Sequence, residues 1–287
     1  MPDRQSDIAL IPASAFSYEE LTDAYNHTRV DYIVPMPMNA ARLREYVETY
    51  DIDMDASVVA VDGSEILGLS MLGVRTERAW LTRLGVISRK RRRGTGWAMV
   101  THLIEQAQQK QAKYIVIEVI KDNSPAHSLF IKKGFKITRE LLVLRRPPGK
   151  PKIEVPPAEI KVLGYPEAKQ LLETRRSIPS WVDETESLIN AGNLAALYAT
   201  LADGSVGWLV YQNTVFQLGR LVIQTEVGNP FDVGRVLLHH LHRLHSVQDT
   251  KTENLPADDP HWPAFKELGY LVMFRRMEMT LPLTAVP

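Results

Sequence analysis

The sequence contains no cysteine among its 287 residues. This absence excludes disulfide frameworks, thiol catalysis and zinc sites with cysteine ligands, and it is compatible with a reducing compartment. Net charge is lacking too, because 34 basic residues balance 34 acidic ones. No overall electrostatic field therefore indicates nucleic acid or a membrane surface as the main partner.

Long apolar runs are also missing, and we expect no secretory leader. The apolar run from Leu194 to Leu201 is far too short to cross a bilayer. Residues Met1–Asp7 carry acids and a proline where a leader needs basic and then apolar residues. We therefore expect a cytoplasmic protein without a membrane partner. Its length leaves room for two domains, each with its own core.

The most informative stretch is a glycine loop that follows a run of cations. A strand is expected over residues 79–87 and an amphipathic helix over 95–111. Such a loop makes a phosphate site, because exposed N–H groups and the positive end of the helix dipole face it. The glycines are expected to let a ligand approach the backbone and to permit positive φ. The sequence between the two elements is Arg89-Lys90-Arg91-Arg92-Arg93-Gly94-Thr95-Gly96.

The cations allow three interpretations. Their guanidinium groups suit bidentate phosphate contacts. Alternatively they form a solvated basic loop or a nucleic-acid patch. Because the run adjoins the glycines, the sequence favours phosphate binding over nucleic-acid binding.

A second motif follows the next expected strand, Tyr114 to Ile120. It reads Asn123-x-x-Ala126-x-x-Leu129-Phe130-x-x-x-Gly134-Phe135. Together with Arg91-x-x-Gly94-x-Gly96, this order and spacing resembles the GNAT superfamily of N-acetyltransferases, over residues 1–147. The departure from the family pattern is Phe130, where many members have tyrosine.

The resemblance implies a fold, a donor and a site. The implied fold class is α/β (α+β), with a mixed, mostly antiparallel central sheet flanked by helices. Acetyl-CoA, or another acyl-CoA, would be the donor, and an amine on a small molecule or peptide would attack it directly. The residues implied for the coenzyme are the backbone of Leu84, Gly85 and Val86 beside the pantetheine arm, together with Arg91, Arg92, Arg93, Gly94, Thr95, Gly96, Asn123 and Phe130.

Phe130 has no proton to give to the leaving thiolate, the role that the resemblance assigns to tyrosine. Ser128 or a water could supply that proton, or the thiolate could leave unaided. The rival to an enzyme is therefore an acyl-CoA-binding sensor or scaffold without turnover. Release of free CoA in the presence of amines separates the two.

Glu118 is the candidate catalytic base. It interrupts an otherwise nearly apolar strand, and a buried carboxylate with a raised pKa would suit proton abstraction from an ammonium group. Some family members that acetylate protein N-termini carry a glutamate at what looks like this position. The alternative is a structural glutamate that pairs with a lysine or caps a loop.

The acceptor is expected beside Val34–Met38, since acceptors sit between the first two helices in this family. Methionine and proline would give it an apolar, adaptable wall. Asp51, Asp53 and Asp55 are candidates to hold its ammonium group, although alternating acids on a loop are as often solvated.

Prolines mark a boundary between two domains. Pro147, Pro148, Pro151, Pro156 and Pro157 give a stiff, extended connection that neither a helix nor a sheet can absorb. We expect an acetyl-CoA-binding domain at residues 1–147 and a degenerate acetyltransferase-like domain at residues 158–287, in a tandem arrangement.

The second half resembles a degenerate copy of the first. A shift of 135 residues places Gly269 on Gly134 and Asp258 on Asn123. Its loop Val227–Asp232 lacks the arginine and both glycines, and its proline and aspartate disfavour a diphosphate. We therefore expect one acetyl-CoA per chain.

Four histidines, His239, His240, His242 and His245, lie on the second long helix. His239, His242 and His245 share one face of the helix, and no carboxylate on that face completes a set of metal ligands. We therefore expect a solvated or partly buried helix face and not a metal site.

Overall fold

The computed structural model describes residues 8–283, so the segment Met1–Asp7, on which the argument against a leader rests, lies outside it. By internal contacts the chain divides into two compact units. The first unit runs to Thr138 and takes up the chain again from Glu278, whereas the second is Arg139–Met277. These boundaries differ from those that the prolines predicted.

The first unit contains a mixed sheet whose strand order is β1-β2-β3-β4-β5, followed by the end of β12. The pairings from β1 to β4 are antiparallel, and β4 pairs with β5 in parallel. Its elements are β1 (Ala9–Pro12), α1 (Tyr18–Thr28), α2 (Ala40–Thr49), β2 (Ile52–Asp62), β3 (Glu65–Arg75), β4 (Arg78–Val86), α3 (Thr95–Gln109), β5 (Tyr114–Ile120), α4 (Ser124–Lys132) and the start of β6 (Lys136–Arg146).

Local chemistry sets the helix starts and turns of this unit. Ser17 Oγ accepts a hydrogen bond from the Glu20 amide (3.2 Å), and the Glu20 carboxylate accepts one from the Ser17 amide (2.8 Å). This is a capping box, and it fixes the start of α1. Gly63, at φ +61°, forms the turn between β2 and β3.

Helix α3 covers one face of the sheet, where its buried Met99, Val100 and Leu103 belong to one core with Leu81 and Ile117. Met279, near the C-terminus of the chain, is fully buried in the same core. The predicted fold class, a mixed and mostly antiparallel sheet flanked by helices, is confirmed.

The second unit repeats this plan, with the strand order β6-β11-β10-β9-β8-β7. Its β10 and β11 are parallel, whereas β6–β11 and the pairings from β7 to β10 are antiparallel. Its elements after β6 are β7 (Ala158–Leu163), α5 (Tyr165–Glu173), α6 (Thr185–Ala191), β8 (Leu194–Leu201), β9 (Val206–Asn213), β10 (Gln217–Val227), α7 (Pro230–Leu244), β11 (Asp249–Pro256), α8 (Trp262–Glu267) and β12 (Leu271–Pro282).

Two strands explain why the units do not end at the prolines. β6 continues past Thr138 into the second unit, where Leu142 and Leu144 are fully buried in the core. β12 continues past Met277 into the first unit. A cut at the prolines would therefore leave each unit without one strand of its sheet.

Candidate active site

The site lies where β4 and β5 separate. Their parallel pairing runs from Arg78↔Tyr114 to Trp80↔Val116, and it goes no further within the described residues. The remaining six residues of β4 and four of β5 therefore diverge. Such a gap exposes strand edges that a slender ligand can occupy.

A β-bulge shapes the end of β4. The register against β3 shifts between Leu69 and Met71, opposite Arg83, which has φ +55°. A bulge of this kind turns the strand and redirects the residues that follow it. The redirected residues are Leu84, Gly85 and Val86, for which the family resemblance implied a place beside the pantetheine arm.

Arginines occupy two carbonyls of this segment. Arg29 donates to the Leu84 carbonyl (3.0 Å), and Arg91 Nε donates to the Val86 carbonyl (3.1 Å). Each oxygen keeps one lone pair that a ligand amide could use, because a carbonyl oxygen has two. Gly85 is constrained by packing, because a Cβ there would lie 2.3 Å from Thr28 Oγ1.

The loop before α3 has the backbone of an anion site. Gly94 is the N-cap, with φ +83°, and it gives no side-chain cap to the helix. The first N–H groups of α3 are therefore open to an external acceptor. Thr95 adds a second signal, because its buried Oγ1 has no hydrogen-bond partner in the described part of the chain. Arg92 also has positive φ, at +67°.

Glycine permits positive φ at both positions, and of the two Gly94 has it. Gly96 lies inside α3, and a Cβ there would meet Leu129 and Val86 at ordinary distances of 3.6 and 3.7 Å. Gly94 alone needs glycine for its backbone conformation, because helical φ suits any residue.

Three of the five cations are paired with carboxylates. Arg91 makes a bidentate ion pair with Asp31 (2.7 Å for both bonds), and Arg89 and Lys90 reach Glu65 at 3.3 and 2.6 Å. The bonds from Arg91 lower the pKa of the Asp31 carboxyl. The family arginine thus anchors the loop in this structure.

Arg92 and Arg93 are the two remaining cations of the run, and both are exposed. No hydrogen bond or ion pair of their side chains occurs among residues 8–283. They are accordingly the guanidinium groups best placed to meet a phosphate without breaking an existing contact.

Glu118 lies on the opposite face of the sheet from α3. Its half-buried carboxylate accepts a hydrogen bond from Trp80 Nε1 (2.8 Å). Trp80 is itself only 3% exposed, so its closely packed ring holds the Glu118 carboxylate in a fixed position.

Aromatic rings surround this carboxylate on the α2 side. The Trp80 ring lies 6.0 Å from Tyr46 and 5.5 Å from Tyr50, between ring centroids. Tyr46 shares a hydrogen bond of 2.6 Å with Thr82, and burial raises its pKa well above the ordinary value. The phenol therefore stays protonated. The sequence does not single out these aromatic residues. Their one signal in it is a tryptophan and a threonine two positions apart on one strand, Trp80 and Thr82 of β4.

Phe130 and Asn123 are placed differently from each other. Phe130 is 4% exposed and packs edge-on against Phe135 in the core, with 5.4 Å between ring centroids. Asn123 caps α4 by accepting a bond from the Ala126 amide (3.3 Å), and its Nδ2 donates to the Tyr32 hydroxyl (3.5 Å). Asn123 thus caps the start of α4, and Phe130 packs in the core, so the contacts of both residues are structural.

Two of the acids proposed for the acceptor's ammonium group are already paired. Asp51 accepts from Arg75 (2.8 Å), and Asp53 forms an ion pair with Lys110 of α3 (2.6 Å). The expectation is wrong for these two, because tertiary contacts had already supplied their cations. Val34–Met38 has no regular structure, and Asn26 holds the Met38 backbone by two hydrogen bonds.

The corresponding loop of the second unit is closed by its own residues. Asn229 caps α7 by accepting from the Phe231 amide (2.9 Å), and Pro230 in the first turn has no N–H.

The histidines of α7 make contacts within the fold. His242, for example, is fully buried and shares a hydrogen bond with the Tyr270 hydroxyl (2.9 Å). Within residues 8–283 no group of three or more histidines and carboxylates could hold a metal ion.

The comparisons with known proteins agree with this geometry. Residues 19–135 match the model of the acetyltransferase (GNAT) family. No curated protein matches the sequence. None of the helices described between residues 8 and 283 is long and apolar enough to cross a membrane.

Solved structures resemble the whole chain at low sequence identity. A GCN5-related N-acetyltransferase from Sphaerobacter thermophilus has a TM-score of 0.67 at 18% identity, over 98% of this chain and 96% of that one. A tandem GNAT protein of the clavulanic acid biosynthesis pathway has 0.64 at 17%, over 98% and 99%. A putative acetyltransferase from Pyrococcus horikoshii has 0.64 at 14%, over 97% and 90%. These likenesses concern the fold, and they confirm the tandem arrangement.

Proposed function

We propose that this protein is an N-acyltransferase that moves an acetyl group from acetyl-CoA to a primary amine, because residues 19–135 match the model of the acetyltransferase (GNAT) family. Acyl transfer is the general chemistry of this family. The acceptor would be a small molecule or a peptide. The single observation that carries the proposal is the open N-terminus of α3, where Gly94 gives no cap and the buried Thr95 Oγ1 lacks a partner.

These groups fit the coenzyme. The N–H groups of the first turn of α3, with Arg92 and Arg93, would hold its diphosphate. The gap between β4 and β5 would take the pantetheine arm. Trp80 and the loop lie at opposite ends of the diverging part of β4, roughly 20 Å apart along an extended strand. When bound, acetyl-CoA supplies the activated acetyl group.

Glu118 is proposed to prepare the acceptor. An alkylammonium group has no free electron pair, so it must lose a proton before it can act as a nucleophile. The Glu118 carboxylate would take that proton, directly or through a water. Its bond from Trp80 orients the carboxylate, and the buried neutral phenol of Tyr46 leaves it without a competing phenolate nearby.

The test is release of free CoA by the full-length chain with acetyl-CoA and a panel of primary amines. Glu118→Gln keeps an oxygen that can accept from Trp80 but removes the base. We expect turnover to fall by about a hundredfold or more, with little change in acetyl-CoA affinity.

Glu77→Gln is the matched control, because Glu77 is an exposed carboxylate that pairs with Lys113 at the surface (2.5 Å). It should leave turnover unchanged. Normal turnover in a folded Glu118→Gln variant would show the glutamate to be structural. Tight acetyl-CoA binding without CoA release for any amine would instead support a sensor or scaffold.

A further inference from the structure

The second unit contains a cleft at the place where its own parallel strands separate. β10 and β11 pair from Gln217↔Asp249 to Gly219↔Lys251, and no further among the residues described. Beyond that point Leu221–Ile223 form one wall of the cleft and Thr252–Pro256 the other, while Ser177–Ser180 and Asp183 border it.

Two backbone irregularities keep this cleft open. β10 bulges between Gly219 and Val222, where Arg220 has φ +53°. β11 bulges against β6 between Thr252 and Leu255, where Asn254 has φ +59°. Left-handed conformations of residues other than glycine cost free energy that the surrounding packing must offset. They persist here although the neighbouring loop has no phosphate site.

Three carboxylates line the cleft, the buried Asp183 and the half-buried Glu253 and Asp259, and they are satisfied unequally. Asp259 accepts a hydrogen bond from the His261 amide (2.8 Å). Glu253 is bound by Lys251 (2.7 Å) and Arg276 (2.9 Å). Burial alone would raise its pKa, but these two cations outweigh burial and lower it. Glu253 is therefore a compensated anion within the fold.

Asp183 lacks such compensation. It is 7% exposed, and its carboxylate receives one long hydrogen bond, from Ser180 Oγ (3.4 Å). Arg175, which also lines the cleft, bonds instead to the backbone carbonyl of Asp183 (2.6 Å) and to Ser177 Oγ (2.8 Å). No ion pair of the Asp183 side chain occurs in the described part of the chain.

The pKa of the Asp183 carboxyl agrees with these contacts. Burial raises the pKa of Asp183 to about 6, against the pull of Arg175 and Arg220. At neutral pH the carboxylate is still mostly ionised, and a buried anion without a hydrogen-bonded cation is costly. A ligand ammonium group would supply the missing partner.

We propose that the cleft of the second unit binds a small primary amine with an apolar body, its ammonium group bonded to the Asp183 carboxylate. The aliphatic side chains of Ile178, Leu221, Ile223 and Leu255 provide the apolar wall. This site is separate from the acyl-transfer site and does not depend on it.

The probe is phenethylamine, titrated into the full-length protein without acetyl-CoA and followed through labelled methyl groups. We expect saturable shifts at Ile178, Ile223 and Leu255. 2-Phenylethanol, which has the same body without the charge, should shift them at least about tenfold more weakly, because a charge-assisted bond is lost.

Asp183→Asn should weaken the phenethylamine response at these methyl groups by a similar factor. Asp203→Asn is the control: Asp203 is an exposed aspartate of the same unit that accepts from the Ser205 amide (2.9 Å), and it should behave as the wild type. If Asp183→Asn fails to fold, Ile223→Trp fills the cleft and leaves the carboxylate in place, and it should abolish the response at Ile178 and Leu255. Shifts confined to methyl groups of the first unit, or equal binding of the amine and the alcohol, would overturn the proposal.

Discussion

The substitution Gly94→Ala tests the phosphate loop by its backbone alone. Gly94 has φ +83°, and a Cβ there would find no atom within 4 Å. The methyl group causes no clash, so the substitution acts through the conformational preference of the residue. An L-residue pays about 1–2 kcal/mol for the left-handed region.

That cost predicts the size of the effect. If the left-handed N-cap presents the α3 amides to the diphosphate, the Gly94→Ala chain must adopt this unfavourable conformation in order to bind. Its free energy of binding then becomes less favourable by the same amount. Affinity for acetyl-CoA should then fall about 5- to 30-fold, since 1.4 kcal/mol corresponds to a factor of ten. Calorimetry on the full chain measures both this affinity and the expected stoichiometry of one acetyl-CoA per chain.

Gly63→Ala is the matched control. Gly63 also has positive φ (+61°) and open space around its Cβ position, but it lies in the β2–β3 turn. Gly63→Ala should lower the free energy of unfolding by a comparable amount and leave the affinity for acetyl-CoA unchanged. Gly94→Glu, which adds a negative charge, should abolish binding. Unchanged affinity in folded Gly94→Ala and Gly94→Glu variants would refute the reasoning, and two equivalents per chain would refute the expectation that only the first unit binds.

Two further predictions use contacts that the structure revealed. Asp31→Asn should weaken acetyl-CoA binding about two- to fivefold, because Arg91 anchors the loop through an exposed ion pair; tighter binding would mean that the freed guanidinium contacts phosphate itself. Burial lowers the pKa of His242 to about 3, so the unfolded chain gains its proton first as pH falls below about 6.5. The free energy of unfolding should therefore lose up to about 2 kcal/mol through this group between pH 6.5 and pH 5. Chemical denaturation of His242→Gln should show a shallower pH dependence than the wild type, and parallel profiles would contradict it.

The elements that local chemistry controls could be predicted from the sequence. The Ser17–Glu20 capping box, the turn at Gly63 and the bounds of α2 all depend on residues that are close along the chain. The same holds for the left-handed N-cap at Gly94, because a cation loop followed by glycine and a helix pattern favours that geometry. These features carried both the resemblance to the family and the position of the candidate phosphate site.

The tertiary structure decided what depends on distant residues. Arg91 and Asp31 are 60 positions apart, so the sequence could not show that the family arginine is already paired. Trp80 reaches Glu118 only because β4 and β5 are parallel neighbours, and the compact units depend on where β6 and β12 find their partners. The burial of Asp183 beside cations that bond to other groups likewise depends on residues that are distant along the chain. Such pairings are set by which surfaces pack together, a global property of the fold that residue type and spacing do not encode.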